Sequence, residues 1–133
     1  MTSRADHPDK PINALLVDDE IDYVHVLSNR LAKRNIITTK AFSGTQAIQV
    51  LRKQDFDIVI LDLKLEDMDG IEVLKILKKM DPEVKVIMLT GHGSEEAAKD
   101  GIKEGAFDYL TKPCELSELI AKIREAHAKS DRG

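Results

Sequence analysis

Residues 57–62 read Asp57-Ile58-Val59-Ile60-Leu61-Asp62, which is four consecutive large apolar residues with an acid on either side. The run is rich in β-branched residues, which favour strands, and its apolar residues are continuous rather than alternating. Continuous apolar strands are typical of parallel sheets that are covered on both faces. The stretch Val84 to Leu89 is nearly continuous in the same way, with Lys85 as its one polar residue. Both segments therefore predict central strands of a sheet.

Short apolar runs of this kind recur along the chain, and an amphipathic stretch follows each of them. The predicted strands are Ile12 to Val17, Ile36 to Phe42, Ile58 to Leu61, Val84 to Leu89 and Phe107 to Leu110. In the stretches that follow them, apolar residues recur every three to four positions, which predicts helices. Five such strand-helix units predict an α/β fold, a doubly wound parallel sheet with helices on both faces.

Local signals mark where some of these helices begin. Ser43 followed by Gln46 fits a capping box for the second helix. Ser94 is the predicted N-cap of the fourth helix, which is the weakest of the five because it contains Gly101 and few large apolar residues.

The composition limits how many domains the chain can form and which classes of function it can have. The chain has 133 residues, 42% of them hydrophobic, which suits one domain with one core. We predict a polar N-terminal segment at 1–11, a folded domain at 12–127, and a frayed tail or the start of a linker at 128–133. The net charge of -4, without a basic stripe, argues against direct nucleic-acid binding. Neither a membrane span nor a secretory signal is visible, so a cytoplasmic protein is expected.

Polar and charged residues follow the ends of the predicted strands. Asp18 and Asp19 follow the first strand, Asp62 ends the third, Thr90 follows the fourth and Lys112 follows the fifth. In open α/β sheets, ligands bind outside the carboxyl ends of the strands. We therefore expect carboxylates, a hydroxyl and an ammonium group to converge at one edge of the sheet.

The chemistry of this set points to a phosphoryl group bound beside a metal ion. Clustered acids repel one another unless a cation is present, and an all-oxygen donor set suits Mg²⁺. Lys112 supplies a further positive charge that a phosphoryl group would need. Asp62 can attack phosphorus to form an acyl phosphate, with Thr90 as a hydrogen-bond donor and Gly91 leaving room for the phosphoryl group.

Four short motifs resemble the receiver domain of bacterial two-component response regulators. They are Val17-Asp18-Asp19-Glu20, Leu61-Asp62, Leu89-Thr90-Gly91 and Tyr109-Leu110-Thr111-Lys112-Pro113. Each motif alone is weak, but the four occur in the family's order, at the ends of the matching strands. The resemblance extends over residues 12–127, and it implies a flavodoxin-like sheet with strand order 2-1-3-4-5.

The resemblance also implies roles for the residues of the site. Asp62 would be the phosphoacceptor, and Lys112 would contact the phosphoryl group. Asp19 would bind Mg²⁺ or Mn²⁺ directly and Asp18 mainly through water, while the backbone carbonyl of Lys64 would be a further ligand. Such a receiver is not an enzyme toward other substrates, since it catalyses only its own phosphorylation and dephosphorylation.

Signalling by a receiver of this kind would depend on a conformational change. The hydroxyl of Thr90 would turn toward the phosphate and Tyr109 would move from an outward to an inward rotamer, altering the face built by the fourth helix, fifth strand and fifth helix. The implied partners are a histidine kinase or histidine phosphotransfer protein and a downstream effector or output domain. A phosphorylation-dependent homodimer is also compatible with the resemblance. The Lys112-Pro113 bond is expected to be cis, and we hypothesise that Lys64 and His92 set the phosphoryl lifetime.

Several alternatives and lesser features complete the interpretation. The Met1 start favours a stand-alone receiver, whereas the alternative is a receiver excised from a larger DNA-binding or ATPase-containing transcriptional regulator. A haloacid-dehalogenase-type phosphatase is disfavoured because Lys64 occupies the position of its second aspartate, and a flavin or nucleotide binder lacks a phosphate loop. His25 and His127 are predicted on helix surfaces, and Cys114 is assigned no chemistry.

Overall fold

The computed structural model describes residues 10–91 and 93–130. Over these residues, five strands alternate with five helices. The strands are β1 (Ile12–Val17), β2 (Ile36–Ala41), β3 (Ile58–Asp62), β4 (Lys85–Thr90) and β5 (Asp108–Thr111). The helices are α1 (Ile21–Ala32), α2 (Gly44–Lys53), α3 (Gly70–Met80), α4 (Glu95–Lys103) and α5 (Leu116–Ala128). The predicted elements are confirmed. Most strand ends differ from the predicted ones by one residue.

All five strands are parallel and lie in the order β2-β1-β3-β4-β5, as expected. Every residue of β3 is buried, in agreement with its continuous apolar sequence. Because β1 and β3 are adjacent at the centre of the sheet, their carboxyl ends lie side by side. The crevice outside these ends is where ligands bind in open α/β sheets.

Successive residues of each strand point to opposite faces of the sheet, and each face packs into its own hydrophobic core. Ala14 and Leu16 of β1 point into the core that is covered by α1 and α5. Leu15 and Val17 point into the opposite core, which α2 and α3 cover. Among the described residues, no helix has the length and hydropathy needed to cross a bilayer.

The predicted helix starts are partly correct. Ser43 Oγ accepts a hydrogen bond from the backbone N–H of Gln46 at 3.1 Å, as a capping box requires. The side chain of Gln46 accepts a hydrogen bond from Phe42 rather than from Ser43, so the reciprocal half of the box is displaced by one residue. Ser94 lies at the N-cap of α4 but makes no side-chain capping bond.

His127 corrects one prediction. His25 is exposed on α1 as expected, but His127 is only 8% exposed, and its placement on a helix surface was wrong. The physical reason is helical periodicity: His127 comes four residues after the buried Ile123 and therefore continues the inward-facing stripe of α5.

The close approach of α3 to the chain after β3 predicts a graded response to alanine substitution of glycines. A Cβ on Gly70 would lie 2.4 Å from the backbone of Leu63, which cannot move aside easily. We expect Gly70→Ala to lower the free energy of unfolding by about 2 to 3 kcal/mol in urea denaturation. Gly101→Ala, which meets the ends of the Met88 and Ile71 side chains rather than backbone, should cost less.

Gly91→Ala is the matched control, because nothing lies within 4 Å of the added Cβ there. Its stability should stay within about 0.5 kcal/mol of the wild type. Equal losses for Gly70→Ala and Gly91→Ala would contradict the packing described here.

Candidate functional site

Three charged side chains meet at the carboxyl edge of the sheet. Asp18 follows β1, Asp62 ends β3 and Lys112 follows β5. The Nζ atom of Lys112 lies 2.9 Å from Asp18 Oδ2 and 3.3 Å from Asp62 Oδ2. The carboxylates of Asp18 and Asp62 are 0% and 6% exposed, so both ion pairs are largely shielded from water. The strand order, rather than sequence proximity, brings these groups together.

Glu20 adds a third carboxylate to this group. Its Oε1 lies 3.2 Å from Lys112 Nζ, and its backbone N–H donates a 2.9 Å hydrogen bond to Asp18 Oδ1. Oxygen atoms of Asp18, Glu20 and Asp62 all lie within 4.8 Å of one another. One ammonium against three carboxylates leaves excess negative charge when all are ionised. The site therefore has the donor chemistry to accept a further hard cation.

The electrostatics of Asp62 and Lys112 follow from burial and from their neighbours. Burial raises the pKa of the Asp62 carboxyl, a hydrogen bond from the Lys64 N–H lowers it, and the charge of Asp18 raises it again, so that the net shift is upward. Burial alone would lower the pKa of the Lys112 ammonium, but its hydrogen bond to Asp18 and the charge of Asp62 raise it overall. The carboxylate partners of Lys112 thus favour its charged form and hold it in place.

A cavity of about 720 Å³ opens beside the ion pairs. Asp19, Lys64 and Gly91 line it together with Asp62 and Lys112. Three of the sequence-predicted metal ligands, Asp19, Asp62 and Lys64, therefore border the same space, whereas Asp18 is fully buried behind it. Asp19 lies outside the tight carboxylate group, and its Oδ2 accepts a 3.0 Å hydrogen bond from the N–H of Glu66. The N–H of Lys64 donates a 2.9 Å hydrogen bond to Asp62 Oδ1.

Thr90 and Tyr109 lie on the two strands beyond Asp62. Thr90 ends β4 and is 2% exposed, and its backbone carbonyl accepts a 2.7 Å hydrogen bond from the backbone N–H of Lys112. Tyr109 on β5 is half-buried and packs against the core beneath α2 and α3. The Lys112-Pro113 bond is cis, as expected. His92 lies outside the described residues, so the hypothesis about phosphoryl lifetime remains a prediction.

Sequence reasoning missed Tyr23, an aromatic partner of Lys112. The Lys112 Nζ atom lies 4.4 Å from the centroid of the Tyr23 ring. Burial raises the pKa of the Tyr23 phenol, which therefore stays neutral at physiological pH. Nothing in the α1 sequence pattern marks Tyr23 as more than a packing residue, because its contact with Lys112 exists only in the folded sheet.

The carboxylate of Asp67, in the loop after Asp62, binds the beginning of α2. It accepts hydrogen bonds from the N–H of Gly44 at 2.9 Å, the N–H of Thr45 at 3.0 Å and the Thr45 hydroxyl at 2.9 Å. The Gly44 and Thr45 bonds lower the pKa of Asp67. The loop after Asp62 is therefore tied to α2 through Asp67 and to the end of β1 through Asp19.

The chain belongs to the response regulator receiver domain family, whose family model matches residues 14–124. It is 38% identical over 117 residues to the transcriptional regulatory protein ZraR of Escherichia coli K12, covering 88% of this chain and 26% of that protein. It is 36% identical over 121 residues to GlrR of the same organism, covering 91% of this chain and 27% of that protein. The chain thus spans about a quarter of the length of these curated relatives.

Solved structures agree with this assignment. The receiver domain of NtrX from Brucella abortus is 33% identical, with a TM-score of 0.84 over 88% of this chain and 99% of that one. The receiver domain of the Francisella response regulator 1452 is 31% identical, with a TM-score of 0.82 over 89% of this chain and 98% of that one. The expected fold and family are both confirmed.

The contacts of Asp67 predict a stability effect with a defined pH dependence. Asp67→Ala removes three hydrogen bonds at the start of α2 and should lower the free energy of unfolding by about 1 kcal/mol at neutral pH. Because the pKa of Asp67 is lowered by folding, its contribution is present above the ordinary carboxyl pKa and disappears as pH falls through the folded-state pKa. Denaturant titrations across the acid range measure this.

Glu66→Ala is the control for loss of an acidic side chain in the same loop. We expect its stability to stay within about 0.5 kcal/mol of the wild type. A difference between wild type and Asp67→Ala that persists undiminished into strong acid would rule out this role of the carboxylate.

Proposed function

We propose that this domain is a phosphorylation-controlled switch in which Asp62 accepts a phosphoryl group from a histidine kinase or histidine phosphotransfer protein. The observation that carries the proposal is the Lys112 ammonium held between Asp18, Glu20 and Asp62 beside an open cavity. This arrangement joins a carboxylate nucleophile to a fixed cation, the two groups that acyl phosphate formation requires.

A divalent cation fits the donor chemistry of the site. The available groups are all oxygen donors, the excess charge is negative, and the family generally binds Mg²⁺. We propose that Asp18, Asp19, Asp62 and the Lys64 carbonyl hold Mg²⁺ or Mn²⁺. When bound, the ion would neutralise charge on the phosphoryl oxygens. Glu20 is placed to add a further carboxylate oxygen.

The chain's own residues would perform the transfer as follows. A carboxylate oxygen of Asp62 forms a bond to phosphorus while the bond from phosphorus to the donor atom breaks, and the bonding electron pair leaves with the donor. The Lys112 ammonium then binds a phosphoryl oxygen, and the hydroxyl of Thr90 donates a hydrogen bond to another. The short link from Lys112 N–H to Thr90 O couples the two strands that carry these groups.

We further propose that phosphorylation is read out by Thr90 and Tyr109. These residues end β4 and lie within β5, so a shift of Thr90 toward the phosphate would alter the surface formed by α4, β5 and α5. A downstream effector, an output domain or a second copy of the receiver would bind that surface. The domain itself would bind neither nucleic acid nor membrane, would act in the cytoplasm, and would process no substrate other than its own phosphoryl group.

The proposed extent of the receiver is residues 12–127, with 1–11 and 128–133 outside it. The transcriptional regulators that resemble this chain are about four times its matched length. Two proposals therefore remain for the whole protein: a receiver domain within a larger transcriptional regulator, and a stand-alone receiver.

Incubation with Mg²⁺ and acetyl phosphate, followed by intact mass measurement, tests the proposal. The wild type should gain one phosphoryl group, and Asp62→Asn should gain none. Lys112→Ala should react roughly 100-fold more slowly, because it loses the cation that stabilises the transferring group. Removal of divalent metal with a chelator should abolish the reaction of the wild type.

Asp69→Asn is the matched control, since it makes the same chemical change at the N-cap of α3, where asparagine caps equally well. It should be phosphorylated like the wild type. Equal phosphorylation of wild type and Asp62→Asn would contradict the proposal.

A further inference from the structure

The ammonium group of Lys112 has a fourth partner besides its three carboxylates. Its Nζ atom lies 4.4 Å from the centroid of the Tyr23 ring, well inside the ~6 Å limit for a cation–π interaction. The side chain of Lys112 is only 19% exposed, so this contact is largely shielded from water. Cation–π contacts strengthen when the cation is desolvated.

The Tyr23 ring packs against the hydrophobic core that α1 and α5 cover. It is half-buried against the core that includes Leu27 and Leu119. It also lines two spaces, the cavity beside Asp62 and a smaller groove of about 110 Å³ between α1 and α5. The ring therefore separates the cavity beside Asp62 from this groove.

The ring differs from the other three partners of Lys112 in one chemical respect. Asp18, Glu20 and Asp62 are carboxylates, for which any divalent cation in the site competes with the ammonium. An aromatic face is not a ligand for a hard cation. A divalent ion bound by these carboxylates, or phosphorylation of Asp62, would therefore weaken the carboxylate contacts of Lys112 and would not compete for the ring contact.

We propose that Tyr23 is a positioning residue for Lys112. Its ring face contacts the ammonium and keeps it directed at Asp62 when a divalent cation binds the carboxylates. This inference rests on the proposed function. It assigns to α1 a part in the transfer beyond the acidic residues that precede it, and it acts through Lys112 rather than by contact with the phosphoryl group.

Two substitutions of Tyr23 distinguish the contribution of its aromatic ring from that of its hydroxyl. Tyr23→Phe keeps the aromatic face, whereas Tyr23→Leu removes it while still filling the core. We expect Tyr23→Phe to be phosphorylated by acetyl phosphate within about twofold of the wild-type rate, and Tyr23→Leu to be about three- to tenfold slower. Val26→Ala, on the same helix and lining the groove but not the cavity, should react like the wild type.

A double-mutant cycle distinguishes positioning from a general structural effect. In the Lys112→Ala background, Tyr23→Leu should change the rate by less than about twofold, because the group that it positions is gone. Proton NMR gives a readout that is independent of activity. The ε-methylene protons of Lys112 should show an upfield ring-current shift in wild type and Tyr23→Phe, and this shift should be lost in Tyr23→Leu.

The outcomes separate the inference from the function on which it rests. Wild-type rates for Tyr23→Leu, an equal slowing by Tyr23→Leu in both backgrounds, or a Tyr23→Phe variant as slow as Tyr23→Leu would each overturn the positioning role. A wild type that accepts no phosphoryl group, yet shows the ring-current shift, would instead overturn the proposed function and with it the role of Tyr23 in transfer.

Discussion

The ammonium of Lys112 lies within hydrogen-bonding or ion-pairing distance of carboxylates from Asp18, Glu20 and Asp62. The shielded carboxylates of Asp18 and Asp62 repel one another, and Lys112 is the cation that offsets this repulsion. The contact between Lys112 and Asp18 joins residues 94 positions apart, and only the order of the strands makes it possible. The contact with Tyr23 depends on the position of this ammonium, whereas the raised pKa of Asp62 comes first from its burial and is opposed by Lys112.

The loop that follows Asp62 connects this cluster to the helices around it. Asp19 and Asp67 hold the loop from opposite sides, the first through Glu66 and the second through the start of α2. A change in charge at Asp62 would therefore act on a loop that is already bonded to Asp19 at Glu66 and to α2 at Asp67. On the other side, the hydrogen bond from Lys112 to Thr90 connects the cluster to β4. In the proposed function, this backbone hydrogen bond would help to carry the effect of phosphorylation toward the surface of α4, β5 and α5.

Much of the fold was predictable because the five strand-helix units follow from the periodicity of apolar residues, while the strand order was implied by the resemblance to receiver domains. The meeting of Asp62 and Lys112 was predictable for a related reason, since parallel strands end at one edge. The contacts of Tyr23 and Asp67 were not, because each depends on side-chain direction between elements far apart in sequence. His127 was misjudged although its four-residue spacing from Ile123 was visible, because a polar residue type was weighted above its position on the helix.

The central claim is that the carboxylate held beside Lys112 becomes an acyl phosphate. Borohydride reduction of the acetyl phosphate-treated protein, followed by peptide mapping, tests it most directly, because reduction converts an aspartyl phosphate to homoserine and leaves free aspartate unchanged. The account predicts homoserine at position 62 in protein treated with acetyl phosphate and Mg²⁺, and aspartate there when the phosphodonor is omitted. Unmodified Asp62 in protein that carries a phosphoryl group on another residue would contradict it.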